Sequence, residues 1–125
     1  MDALIKGAVE KLVNIAGDFH RVHKSEVVLL KESGYFELYD RIGENEIMKV
    51  LKMHSHLIAE WVQFSEDSRS SDRWGFIRHE DGRCFVGHWP DGKDFEEIST
   101  MDEFYACAAF IKRHAESIRS RWDKS

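Results

Sequence analysis

The residues best suited to chemistry in this 125-residue chain are its seven histidines and two cysteines. Two histidine pairs are close in sequence, His20-x-x-His23 and His54-x-His56. His20 and His23 fall on one helix face, but a structural zinc site gathers four Cys or His ligands, usually with Cys-x-x-Cys spacing. Cys84 and Cys107 stand alone, neither beside a histidine pair. The expectation is therefore no metal, with surface or half-buried histidines. A nucleophilic cysteine needs a helix N-terminus, a nearby cation or a histidine base. Cys84 falls in a predicted strand and Cys107 in the small-residue run Ala106-Cys-Ala-Ala109, so both read as core residues. No glycine-rich phosphate loop and no G-x-S-x-G elbow occurs in the sequence. Adjacent acids such as Glu66-Asp67, Glu80-Asp81 and Glu96-Glu97 are ordinarily just solvated. No catalytic residue and no cofactor is expected.

Charge is more telling in its distribution than in its sum of −5. That sum argues against a general nucleic-acid binder, which would be strongly basic. Residues 1–79 are nearly balanced, with 13 acids and 11 bases. Residues 80–103 hold eight acids (Glu80, Asp81, Asp91, Asp94, Glu96, Glu97, Asp102 and Glu103) against two bases. Residues 104–125 hold two acids and five bases. A concentrated acidic surface would steer a basic partner. The competing explanation is a soluble edge that discourages sheet-to-sheet aggregation.

These residues must be positioned by elements that the periodicity outlines. The length fits a single domain over 1–125, and 42% apolar residues are enough for a core. Leu4, Ala8, Leu12, Ile15, Ala16, Phe19 and His23 predict a helix over 2–23. Residues 25–43 fit either short helices or, through Val27-Val-Leu-Leu30, a buried strand. Spacing of Phe36, Tyr39 and Ile42 by threes favours helices, one capped by Ser25 and ended by Gly34, the other ending at Gly43. A stripe from Ile47 to Phe64 predicts helix over 45–64, capped by Asn45, with a weak spot at His54-Ser55-His56. Residues 65–73 read as a polar loop. Two aromatic, β-branched runs, 74–79 and 83–89, flank Asp81-Gly82, a hairpin signal. Pro90-Asp-Gly92 marks a second turn before a short strand near 95–98. Thr100 and Glu103 match a capping box for a helix to about residue 121. The predicted class is α+β: N-terminal helices, an antiparallel β-meander at about 74–98 and a closing helix at about 101–121.

From Trp61 onward the sequence reads Trp61-x-x-Phe64-Ser65-x-Asp67-x-Arg69, then Trp74-Gly-Phe-Ile77, a strand bearing Gly87, an acidic stretch and Cys107-Ala-Ala-Phe-Ile111. This half of the chain resembles small bacterial immunity proteins of contact-dependent growth inhibition and related polymorphic toxin systems. The resemblance implies a non-enzymatic protein that binds one cognate toxin domain, often a nuclease, and blocks it. Carboxylates facing a basic nuclease would stand in for nucleic-acid phosphates. Trp61, Ser65, Asp67, Arg69 and Trp74 are expected to be structural, the tryptophans in the core and Asp67 bonded to Arg69. The partner surface is expected on Glu66, Asp67, Asp72, Glu80, Asp81, Asp91, Asp94, Glu96 and Glu97.

The sequence thus yields an expected cytoplasmic immunity protein with a basic toxin as partner, touching neither nucleic acid nor membrane directly. The N-terminus carries no signal-peptide pattern and no apolar run reaches the roughly 18 residues of a membrane span. The alternative is a small adaptor or regulatory protein-binding domain. A third reading is a hydrolase or metal enzyme using His54, His56 or His79 with nearby carboxylates.

Overall fold

A computed structural model describes residues 2–67, 73–88 and 96–122. Six helices lead into the sheet: α1 (Ala3–Val13), α2 (Ile15–Arg21), α3 (Glu26–Ser33), α4 (Tyr35–Leu38), α5 (Glu44–Met53) and α6 (Leu57–Glu66). Strands β1 (Trp74–Arg78), β2 (Cys84–His88) and β3 (Glu96–Thr100) follow, and α7 (Glu103–Trp122) closes the chain. The class is α+β, as the periodicity predicts.

The helix expected over 2–23 is two helices. Asn14 divides them, because its side-chain amide donates to the Glu10 carbonyl at 2.7 Å and competes with the backbone ladder. The helix expected over 45–64 divides at the anticipated weak spot, between Met53 and Leu57. Its start is not capped by Asn45. Gly43 is the N-cap, and its N–H donates to Glu46 Oε1 at 2.8 Å. In 25–43 the helical alternative is the observed one. Ser25 accepts from the Val28 N–H, and Gly34 ends α3 with φ of +91°, a left-handed turn that favours glycine. After α4 the chain tightens into a single 3-10 turn at Tyr39–Arg41 before reaching Gly43.

The sheet is antiparallel in the order β1-β2-β3. Gly82, at φ of +93°, makes the expected hairpin turn. The turn predicted at Pro90-Asp-Gly92 lies outside the described residues. The capping box predicted for Thr100 and Glu103 is not formed. Thr100 is held in β3 opposite Cys84, so the cap falls to Asp102, whose carboxylate accepts from the Phe104 and Tyr105 N–H groups at 3.1 and 3.2 Å.

The buried residues form one contiguous cluster. Its centre is α7, which packs against all three strands and against α3, α5 and α6. Ala106, Cys107, Ala108 and Ala109 are all buried, and their small volume lets elements approach from both sides. Both cysteines are in the core. Trp61 joins the two ends of the helical half. It is fully buried, packs edge-on against Phe64 and Phe110, and donates from Nε1 to the Val13 carbonyl at 2.8 Å. That bond satisfies one of the last carbonyls of α1, which have no partner within their own helix.

Ser65 is the joint between the helices and the sheet. Its buried hydroxyl accepts from the Phe76 N–H at 2.8 Å, fixing the end of α6 against the middle of β1. Arg73 also donates to the Ser65 carbonyl at 3.4 Å. Ser65→Ala leaves the buried Phe76 N–H without this acceptor and is expected to cost about 1–3 kcal/mol in urea unfolding. A loss below about 0.5 kcal/mol would show that the bond does not hold the sheet to α6.

Candidate functional site

The strongest cluster of perturbed titratable groups lies at the buried end of α4. The Tyr35 hydroxyl donates to Glu116 Oε2 at 2.7 Å and accepts from Lys112 Nζ at 2.8 Å. Lys112 also donates to the Tyr39 carbonyl at 2.7 Å. Arg119 donates from Nε to Glu116 at 2.8 Å and lies 3.6 Å from the centre of the Tyr39 ring. Burial, then the hydrogen bond to Glu116, pushes the Tyr35 phenol well above its usual range. Burial lowers Lys112, partly offset by the charges of Glu116 and Glu44. A base would need a lowered phenol, and Tyr35 is fully buried, so no substrate reaches it. The cluster is a structural clamp tying α4 and the 3-10 turn to α7.

The clamp predicts an acid limb in stability. Burial raises the Glu116 carboxyl, but hydrogen bonds from Arg119 and Tyr35 and the Lys112 charge outweigh this and leave it below its ordinary value. Folded Glu116 thus holds its proton less tightly than unfolded Glu116. Its contribution is complete above the ordinary glutamate pKa of about 4.3 and is lost as pH falls through the lower folded value. Glu116→Gln is expected to flatten the fall in unfolding stability between about pH 5 and about pH 3. An acid limb as steep as the parent's would contradict this role.

The acidic residues expected to meet a partner fall in three places. Glu66 and Asp67 are exposed at the C-terminal end of α6. Asp67 accepts from the Gln63 side-chain amide at 3.0 Å. Its expected partner Arg69 lies outside the described residues. Glu80 and Asp81 are exposed on the β1–β2 turn, where Asp81 accepts from the Arg83 N–H at 2.9 Å and stands 3.8 Å from the Arg83 guanidinium. Glu97, on β3, accepts from Arg113 Nε at 2.9 Å. Asp72, Asp91, Asp94 and the side chain of Glu96 lie outside the described residues.

Folding therefore redistributes the charge blocks of the sequence. Arg113 of the basic closing helix bridges Glu97 of the acidic stretch to Glu44 of α5 and lies 5.6 Å from the Trp74 ring centre. Arg78 pairs with Glu103 at 3.4 Å. Glu97 is consequently a structural acid, whereas Glu66 and Glu80 project into solvent. Trp74 is half-buried, less enclosed than the core position expected for it, and packs its ring against His88 on the neighbouring strand.

The histidines are dispersed. His20, His23, His56 and His79 are exposed, and no group of three or more His, Cys, Asp or Glu suited to a metal ion occurs among the described residues. His114, not singled out by spacing, bonds Glu26 at 2.8 Å between the rings of Phe64 and Phe110 and links α3 to α7.

One arrangement escaped the sequence entirely. Gly17 of α2 lies against Glu60 of α6, and together with Ala16, His20, Arg21 and Gln63 they line a cleft of about 240 Å3. Its only signal was a glycine inside a helical stripe, which by itself reads as a propensity cost. No helix among the described residues is long and apolar enough to cross a membrane. Compared with known family models, curated proteins and solved structures, the chain gives no match.

Proposed function

We propose that this chain is a cytoplasmic immunity protein that binds a cognate bacterial toxin domain, without catalysis, through its exposed carboxylates. The observation that carries the proposal is the pair Glu66 and Asp67 at the end of α6. A helix C-terminus carries partial negative charge, so acids there are disfavoured by about 0.3–1 kcal/mol each. The last turn of α6 itself contains no base, and the one cation among the described residues that reaches its carbonyls, Arg73 at 3.4 Å from the Ser65 oxygen, comes from the start of the sheet. Carboxylates held against local preference on an exposed surface fit a binding role better than a folding role. Glu80 extends the same sign of charge to the hairpin tip, and the net charge of −5 adds to the long-range field. The resemblance of the Trp61–Ile111 segment to immunity proteins supplies the class of partner.

A basic toxin domain, such as a nuclease, would meet this surface as it meets phosphate. The test is stopped-flow association with the toxin domain encoded beside this gene, over a salt series. The expected result is a stoichiometric complex whose association slows steeply as salt rises from about 0.01 M to about 0.15 M, as the Debye length shrinks from about 30 to about 8 Å. A complex forming at a salt-independent rate would remove the acidic surface from the account. Absence of any complex, with capture of a cellular regulatory protein instead, would favour an adaptor.

A further inference from the structure

The two faces of the sheet differ. Directly paired residues of an antiparallel sheet share a face, and successive residues alternate between faces. The row Phe76, Val86 and Ile98 faces α7. Phe76 and Val86 are fully buried, and the Phe76 ring lies 5.9 Å from that of Phe110. The neighbouring row, Ile77, Phe85 and Ser99, therefore lies on the opposite face. There Ile77 is 40% exposed, and the His79 ring stands edge-on to the Phe85 ring at 5.0 Å. Met101, just past β3, is 66% exposed and reaches the same hairpin: a Cβ on Gly82 would stand 3.3 Å from Met101 Cε.

Folding alone does not account for these side chains. The solvated face of an antiparallel sheet ordinarily carries polar residues. A hydrophobic residue just before a helix N-cap often packs on the fourth helical residue, here Ala106. Ala106 is fully buried, yet Met101 stays mostly in water. Single exposed apolar residues need no explanation, but apolar side chains gathered at one end of one face mark an interaction surface. Methionine and aromatic residues are enriched at the centres of protein interfaces.

Charge selects the occupant. Glu80, Asp81, Asp102 and Glu103 flank this end, against Arg78 and Arg83. Arg78 pairs with Glu103 at 3.4 Å and Arg83 lies 3.8 Å from Asp81, which leaves Glu80 and Asp102 as the net charge. A second copy of this chain would set these acids against each other, and nucleic acid or an anionic lipid surface would be repelled likewise. A basic protein surface is complementary. We propose that the hairpin end of the outer sheet face, centred on Ile77, Phe85 and Met101 and flanked by Glu80 and Asp102, seats the basic toxin domain. This rests on the immunity function and adds to it the contact that slows dissociation: carboxylates steer the encounter, and desolvated apolar anchors hold the complex.

The test measures binding of the toxin domain encoded beside this gene to the full chain, by stopped-flow kinetics and by methyl NMR. Ile77→Thr combined with Met101→Gln removes two apolar anchors without changing the net charge, and threonine suits an exposed strand. The expected result is dissociation at least about tenfold faster, with the association rate and its salt dependence unchanged. Leu4→Gln, at a similarly exposed leucine of α1, should change neither rate. In the parent, the Met101 methyl signal should shift on complex formation and the Met53 signal should not. That readout needs no variant and decides the matter if the double variant does not fold. A complex with unchanged dissociation in the folded double variant, an unmoved Met101 methyl, or a Met53 methyl that moves as much would overturn this surface and leave the immunity function standing. A folded toxin domain that forms no complex would overturn both.

Discussion

Trp61→Ala is expected to destabilise the protein by about 3–5 kcal/mol in urea or thermal unfolding, the range for truncating a fully buried large aromatic. Three losses combine. The cavity left behind faces Phe64 and Phe110, whose edge-on contacts at 5.3 and 6.0 Å disappear. The Val13 carbonyl loses its 2.8 Å hydrogen bond where α1 ends. The small void already lined by Leu12, Ile15, Trp61 and Ile111 enlarges rather than collapses, because α7 is pinned from both sides. Typical domains have only about 5–15 kcal/mol in total, so the variant should be partly unfolded at 37 °C. Trp61→Phe keeps most of the volume and loses the bond, and should cost about 1–3 kcal/mol. If Trp61→Ala cost less than about 1 kcal/mol, the tryptophan would not be the joint between α1 and α6.

Reversing Glu66 and Asp67 to Lys together is expected to separate binding from folding. Lysines suit the negative end of α6, so stability should hold or rise by about 0.5 kcal/mol. Asp67 accepts an exposed bond from Gln63, and exposed bonds of this kind contribute little. Association with a basic toxin at low salt should nevertheless slow by at least about tenfold, since steering by focused charge is worth about 10–10³ in rate. The difference should shrink at high salt. A loss of stability with an unchanged association rate would mean that these acids serve the fold.

Much of the fold was legible in local pattern. The α+β order, the helix break near His54, the hairpin at Gly82 and the end of α3 at Gly34 each follow from period, propensity or glycine chemistry. What stayed hidden depends on competition between neighbours. Asn14 lies within an unbroken apolar stripe, yet its amide bonds back to Glu10 and splits the helix. Thr100 is a good cap by type, but the sheet claims it and Asp102 takes over. The stripe on α7 showed one buried face, whereas its small residues make it buried on both.

The candidate site was legible only in part. Glu80 is exposed on the hairpin turn that Asp81-Gly82 marks, within the acidic stretch, whereas Glu66 lies outside that stretch, exposed at the end of α6. The partnering of Glu97 by Arg113 spans 16 residues and that of Glu44 by the same arginine spans 69, and charge counts along a sequence cannot see either. The role of Ser65 in bonding Phe76 was visible as a motif but not as a contact. The cleft at Gly17 and Glu60 joins two helices 43 residues apart, and no local pattern announces it.

The central claim is that this chain neutralises a toxin by binding it. Co-expression with the toxin domain encoded next to it, scored by growth and by co-purification, tests that most directly. The account predicts that the parent restores growth and co-purifies with the toxin at equal stoichiometry. It predicts that the Glu66→Lys, Asp67→Lys variant, equally abundant and folded, protects less. A folded, abundant parent that neither rescues growth nor co-purifies with the toxin would contradict it.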